Sequence, residues 1–213
     1  MKKASLINPL INRLEQDSSE EVQAASARAL GKFAMLSEYK KLRARYLFKI
    51  QGTLLALISD KNKPIGIRCR ALEAAAPLSL PQVKTAIMEA YQSPNPRLRL
   101  SAIDAMGKNS DSYWLPILLK ELTSADIEAR FEAAGACGEM EEKAAVPHLI
   151  KLTNDFDVDV QMTAIQALSK IGSTLAKRCL ESCRDNISEA IRQAAEQALL
   201  ELEMEANQLS FQP

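Results

Sequence analysis

The sequence is poor in aromatic residues and glycine, and these shortages restrict the folds open to it. Phe, Trp and Tyr together make up 5% of the 213 residues, and there are 7 glycines. Ala, Leu, Glu, Lys and Arg, which favour helices, are frequent instead. We therefore predict an all-α protein whose helices pack closely through Ala, Leu and Ile, because few large rings are available to fill a core.

The sequence also lacks the signatures of common catalytic sites. It contains no glycine-rich phosphate loop, no Gly-x-Ser-x-Gly and no His-Glu-x-x-His. The single histidine, His148, follows Pro147 at a mostly apolar repeat position, which favours a half-buried helix residue over a base or ligand. Cys179 and Cys183 can share a helix face near His148, but a metal needs a fourth ligand. We predict no enzyme activity, no metal site and no cofactor.

Extracytoplasmic features are missing as well. None of the four cysteines forms a Cys-x-x-Cys pair, so we expect buried thiols in a reducing cytoplasm. The first 17 residues have no signal-peptide hydrophobic region, and no run of 18 apolar residues exists. These observations predict a cytoplasmic protein with no membrane partner.

Charge is balanced in total but not along the chain. Residues 1–100 carry 17 Lys+Arg and 8 Asp+Glu, whereas residues 101–213 carry 10 and 19. A molecule that is electrically polar along its length favours oriented binding or head-to-tail contacts. The alternative is two solvated faces of different charge.

An internal repeat is the main feature of the sequence. A branched or apolar residue opens each run of small residues, and we call this residue the key position. Successive key positions are separated by 45, 31, 31, 31 and 31 residues, which indicates a solenoid of stacked units. The key positions are Val22, Ile67, Leu98, Ala129, Val160 and Ile191.

The residues around each key position predict two helices per repeat. Positions +4, +7, +8 and +11 after the key residue lie on one face of a helix, and position +7 is alanine in every repeat. This is the inner helix of the repeat. An outer helix precedes it and often has proline in its first turn, as at Pro116 and Pro147. The turns between the two helices contain Ser and Asp residues that can cap the inner helix.

These stretches, among them "RLRLSAIDAMGKN" and "DVQMTAIQALSKI", resemble HEAT repeats, and the short period resembles the HEAT-like units named after phycobilisome lyases. The resemblance implies a right-handed α-solenoid (an alpha-alpha superhelix) of about six two-helix repeats in a single domain. The repeats are predicted at about 4–33, 50–78, 81–109, 113–140, 144–172 and 174–202, with a helical insertion at 34–49 and a C-terminal tail at 203–213.

The resemblance also raises the question of where the arginines point. HEAT units often pair an Asp in the turn with the Arg that follows the key residue. Here an acid and an arginine never coincide within one repeat: Arg130, for example, is paired by alignment with Ser124, and Asp155 with Gln161. The arginines can reach a bound partner or an adjacent turn, and the sequence leaves both open.

A candidate partner site follows from the helix geometry. In a HEAT-like stack the inner helices line the concave wall, and position +2 points away from the buried stripe. An apolar strip on such a wall is typical of a peptide or protein site. Small residues at position +9 predict room in the groove, whereas tight curvature would bury position +2. The predicted groove residues are Leu100, Phe131 and Met162, with polar contacts from Arg68, Arg99, Arg130, Asp104 and Gln166.

The predicted insertion suggests a second, weaker site. It carries basic residues interleaved with aromatic ones, which is a pattern that can bind nucleic acid. One short basic helix is a weak signal, however, and an amphipathic helix whose basic side chains stay solvated is the favoured interpretation. We predict a non-catalytic scaffold for a protein or peptide, with a bilin lyase-like or lyase-accessory protein as the alternative. Nucleic-acid binding is the weaker alternative. The possible basic patch is Lys40, Lys41, Arg43, Arg45 and Lys49.

Overall fold

The structure is a computed structural model that describes residues 5–38 and 44–210, and side chains at 36–38 and 205–210 are left out of the description. Over these residues the chain is all-α, with twelve α-helices, a few short 3₁₀ segments and no strand. The helices are α1 (Ile7–Gln16), α2 (Glu20–Glu38), α3 (Ala44–Ser59), α4 (Ile65–Ala75), α5 (Pro81–Tyr91), α6 (Pro96–Asn109), α7 (Leu115–Glu121), α8 (Ile127–Met140), α9 (Val146–Leu152), α10 (Val158–Ile171), α11 (Thr174–Cys183) and α12 (Glu189–Ser210).

The helices form consecutive outer–inner pairs, which confirms the predicted all-α solenoid of about six two-helix repeats. The odd-numbered helices are the outer ones, and the even-numbered helices carry the key positions. The predicted insertion is divided between two helices: α2 continues to Glu38 and α3 begins at Ala44. The last helix, α12, continues to Ser210, so most of the predicted tail is helical.

The chain divides into two compact units. The first is Met1–Asn109 and the second is Ser110–Pro213, so each holds three helix pairs. The boundary coincides with the change in charge, because the first unit carries 18 Lys+Arg and 9 Asp+Glu and the second carries 9 and 18. Assignment of the whole chain to one domain stays a prediction.

Side-chain caps start several helices, as the sequence predicts. Asp157 accepts hydrogen bonds from the backbone N–H groups of Asp159 at 3.0 Å and Val160 at 3.1 Å, at the start of α10. Asp126 does the same for α8. Such a cap satisfies amide groups that the first helical turn leaves without partners, and it is worth about 1 kcal/mol.

Consecutive inner helices cross at glycine and alanine within each unit. A Cβ on Gly31 would lie 3.0 Å from the Cα of Ala74, and a Cβ on Gly138 would lie 2.9 Å from the Cα of Ala167. Position +9 of one repeat therefore contacts position +7 of the next. The expectation that position +9 leaves room in a groove is wrong, because these small residues are buried where two backbones meet.

Candidate functional site

The arginine that follows the key position binds the turns of the solenoid. Arg130 donates from Nε and a terminal nitrogen to Asp155 at 2.7 and 2.8 Å, and from its other terminal nitrogen to the carbonyl oxygens of Ser124 and Ala125. The acid thus belongs to the turn of the following repeat, which explains why alignment within one repeat finds no pair. Arg130 lowers the pKa of the Asp155 carboxyl because its guanidinium stabilises the carboxylate.

Other arginines that directly follow a key position make similar hydrogen bonds. Arg68 donates to the carbonyl of Ile58 at 3.0 Å, and Arg192 donates to the carbonyl of Asn186 at 2.8 Å. Arg99 is half-buried on α6. Since Arg68 and Arg130 are already engaged with their turns, their first role is architectural, and contact of Arg68, Arg99 or Arg130 with a partner stays a prediction.

In the second unit, position +2 carries an apolar surface. Phe131 on α8 is 39% exposed and Met162 on α10 is half-buried. The two side chains occupy equivalent positions on neighbouring inner helices that cross at Gly138 and Ala167. Helices in contact have axes about 8–10 Å apart, so one bound segment can touch both side chains.

Acidic and amide groups surround these two side chains. Glu128 lies one turn before Phe131, and Asp159 lies one turn before Met162, both exposed. Exposed Gln166 lies one turn after Met162. Residues three or four apart on a helix are neighbours on its surface, so each apolar side chain has a carboxylate beside it. We call this surface, formed by Glu128, Phe131, Asp159, Met162 and Gln166, the acidic–apolar face.

In the first unit, polar side chains on the equivalent surface form ion pairs and hydrogen bonds with neighbouring residues of the same unit. Arg70 and Glu73 form an ion pair, and the Ser101 hydroxyl lies 3.2 Å from both a Glu73 carboxylate oxygen and the carbonyl oxygen of Cys69, so it can donate its one proton to either. Next to these residues, Leu100 is half-buried and Asp104 pairs with Lys108 at 2.6 Å. Cys69, at position +2, is buried. The predicted three-residue strip therefore has its exposed member, Phe131, in the second unit only.

The possible basic patch is described in part. Lys40, Lys41 and Arg43 lie outside the described residues. Arg45 is 4.7 Å from the centre of the Tyr46 ring and donates to the Tyr46 hydroxyl at 3.0 Å. Lys49 donates to the side-chain oxygen of Asn8 at 3.1 Å. Both described cations therefore contact neighbouring side chains, and a nucleic-acid surface stays a prediction.

The histidine and two of the thiols lie on successive outer helices, His148 on α9 and Cys179 and Cys183 on α11. His148 is half-buried, and its Nδ1 is buried with no hydrogen-bond partner among the described residues. The neighbouring Cys183 thiol and Thr153 hydroxyl lower the pKa of Cys179, and the same pairing together with burial raises the pKa of Cys183. Within the described ranges, no group of three or more His, Cys, Asp or Glu residues is placed to hold a metal ion.

Sequence reasoning missed the exposed apolar residues of the turns in the second unit. Phe156 and Ile187 are fully exposed, and Ile127 and Val158 are about half exposed. Phe156 and Ile187 are separated by one repeat period of 31 residues. That spacing was available as a signal, but an apolar residue within a turn between helices is easily read as the start of the next helix.

A family model described as HEAT repeats matches residues 115–200, which confirms the resemblance for that segment. No curated protein matches the chain significantly. None of the described helices is long and apolar enough to cross a membrane.

Solved structures show the same fold at low sequence identity. The complex of CpcE and CpcF of phycocyanin lyase from Nostoc sp. PCC7120 matches with a TM-score of 0.59 and 16% identity, over 89% of this chain and 74% of that one. An engineered protein matches with a TM-score of 0.54 and 20% identity, over 93% and 96% of the two chains. A designed armadillo repeat protein in complex with the peptide (KR)4 matches with a TM-score of 0.52 and 18% identity, over 92% and 99%. The chain thus has the fold of an α-helical repeat solenoid.

Proposed function

We propose that the protein is a non-catalytic interaction scaffold that binds an extended peptide segment on the acidic–apolar face of its second unit. The exposure of Phe131 carries the proposal. A large ring that is 39% exposed on an inner helix, with Met162 at the same position of the next inner helix, is an anchor of the kind that dominates binding energy at interfaces.

The charges around the anchor define the partner. Glu128 and Asp159 are exposed carboxylates beside Phe131 and Met162, and the second unit has twice as many acidic as basic residues. A complementary segment carries apolar side chains alternating with Lys or Arg, because opposite charges speed encounter and exclude acidic competitors. The designed armadillo repeat protein of similar fold was solved in complex with the basic peptide (KR)4, which supports the proposal.

The alternatives rest on less. A bilin lyase-like or lyase-accessory role has the fold similarity to CpcE and CpcF in its favour, and fold alone does not fix function. Nucleic-acid binding depends on a basic patch of which three residues lie outside the description. Both stay predictions.

Selection from a displayed random peptide library tests the proposal directly. The full chain is the bait, and the affinity of the selected peptides is then measured for the parent and for the variant Phe131→Glu. We expect enrichment of peptides that combine an aromatic or aliphatic residue with Lys or Arg, and a loss of affinity of at least tenfold in Phe131→Glu, because a carboxylate replaces the anchor.

Phe156→Glu is the control, since it makes the same chemical change at a fully exposed turn residue of the same unit. It should retain peptide binding, and both variants should keep the helical circular dichroism of the parent. Enrichment of peptides whose affinity is insensitive to Phe131→Glu would overturn the proposed face. So would the absence of any enriched basic–apolar class.

A further inference from the structure

Two repeat positions are buried throughout the solenoid except at its two ends. At position +7, five alanines are 4% exposed or less, whereas Ala29 in the first repeat is half-buried. At position +9, the first five residues are buried, whereas Leu200 in the last repeat is 55% exposed. The buried alanines are Ala74, Ala105, Ala136, Ala167 and Ala198.

Contacts inside the units explain this pattern. Gly31 meets Ala74, Gly138 meets Ala167, and Ser169 donates to the carbonyl of Ala198 at 2.9 Å. In each case position +9 packs on position +7 of the following repeat. Ala29 therefore marks the surface on which a preceding repeat would stack, and Leu200 marks the surface for a following repeat. No described residue covers either surface.

The surface around Ala29 is an apolar groove with a basic rim. It has a volume of about 390 Å³ and lies between α1 and α2. Leu6, which is 53% exposed, forms one side of it. We call this surface the leading face; its lining includes Leu6, Leu10, Ala29 and Phe33, with the cations Lys32 and Arg13, of which Arg13 also pairs with Asp17 at 2.7 Å.

The surface around Leu200 has the opposite charge. It is a groove of about 370 Å³ between α11 and α12. Glu196 and Glu203 lie one turn before and after Leu200 on α12, so the exposed leucine stands between two carboxylates. We call this surface the trailing face; it is lined by Leu199, Leu200, Glu181, Glu196 and Glu203, with Lys177 and Arg184 on α11.

We propose that a second copy of this chain is the partner for these faces, so that the trailing face of one copy stacks on the leading face of the next. The stacking continues the contact that already joins successive repeats, with Leu200 placed in the groove beside Ala29. Lys32 and Arg13 then meet Glu196 and Glu203. The unequal charge of the two units orients the approach, because the first unit is basic and the second acidic.

This interface is heterologous, since the two faces differ, and each copy has one of each. Repeated stacking therefore produces open chains or closed rings rather than a single two-fold dimer. Terminal repeats of solenoids usually have a polar outer face that prevents such growth. Here both ends combine exposed leucine with charges of opposite sign.

Because the two faces differ, each can be blocked separately in the full chain, and no other protein is needed for the test. Leu6→Glu blocks the leading face and Leu200→Glu blocks the trailing face. In sedimentation velocity the parent should shift from one chain to larger species as its concentration rises, and each variant should remain a single chain. An equimolar mixture of the two variants should form a heterodimer and nothing larger, because one intact leading face and one intact trailing face remain.

Controls separate association from folding. Ile187→Glu places the same charge on a fully exposed residue of the second unit, so this variant should associate like the parent. If Leu6→Glu reduces helical circular dichroism, Lys32→Glu takes its place, since Lys32 is exposed and lies on the rim. Salt should weaken association, because it screens the rim charges.

Three results would overturn the proposal. These are a parent that remains a single chain at every concentration, mixed variants that stay apart, and an Ile187→Glu variant that dissociates the assembly as strongly as Leu200→Glu. The last result would place the interface on the turns instead. Association that survives both blocking variants would exclude these faces as well.

Discussion

The two units have the same backbone architecture and different inner surfaces. Each contains a crossing of inner helices at glycine and alanine, Gly31 with Ala74 in the first and Gly138 with Ala167 in the second. On the exposed side of these helices, the first unit has bonded polar groups around Glu73. The second has the acidic–apolar face. Within each unit, the residues that join successive inner helices are thus separate from the residues on the exposed side of those helices.

The largest expected effect comes from substitutions at the glycine–alanine helix crossing that both units share. Gly138→Val places a Cβ 2.9 Å from the backbone of Ala167, so the inner helices must move apart. We expect a loss of about 3 kcal/mol in the free energy of unfolding, the upper end for overpacking. Gly31→Val should cause a similar loss in the first unit. Urea denaturation measures both.

Gly52→Val is the matched control for these variants. A Cβ at Gly52 has no neighbour within 4 Å, and Gly52 is an exposed residue of α3. Since valine is a slightly better helix former than glycine, stability should stay equal or rise by a few tenths of a kcal/mol. A loss at Gly138 no greater than at Gly52 would contradict the packing argument.

The next largest effect concerns the hydrogen bonds between arginines and turns, which differ between the two units. Arg130→Ala removes the hydrogen bonds that α8 donates to Asp155 in the following turn, and we expect a loss of about 2 kcal/mol, typical of hydrogen bonds to a charged group. Arg68→Ala removes one bond to a neutral carbonyl in the first unit and should cost about 1 kcal/mol. Urea denaturation of both variants at neutral pH gives the comparison.

The Arg130 effect should depend on pH. Because the folded pKa of Asp155 lies below its ordinary value, the ion pair stabilises the protein above the unfolded pKa, near 4. That contribution disappears as the pH falls through the lowered folded pKa, so parent and Arg130→Ala should converge in stability in acid. A difference that stays constant down to the acid transition would show that Asp155 is not the relevant partner.

The smallest effect concerns exposed ion pairs, which occur in both units. Lys170 and Glu139 pair at 2.6 Å in the second unit, with both side chains 51% exposed, and Lys108 pairs with Asp104 in the first. Replacing either lysine with methionine should change the free energy of unfolding by less than about 1 kcal/mol, since water and salt screen such pairs. A larger change on thermal denaturation would mean that surface charge, and not helix packing, dominates stability.

Much of the fold was predictable because its signals are local. The apolar spacing along each inner helix, the prolines of the outer helices and the Asp caps each act within one helix or one turn, and all appear in the structure. The partner of Arg130 was not predictable, because aligning repeats compares each residue with its equivalents and not with the next turn. The exposure of Phe131 also depends on the crossing of neighbouring helices.

The sequence by itself determined the period of the repeat, the all-α fold class, and the prolines and caps near the starts of several helices. These follow from apolar spacing along a helix of 3.6 residues per turn and from the hydrogen bonds of caps. Only the tertiary structure decided that position +9 is a contact between helices, that the Phe131 side chain is exposed, and that Ala29 and Leu200 are less buried than their equivalents in the other repeats. Each of these depends on which surface of one helix meets another, and that is set by distances across the stack, which no single helix encodes.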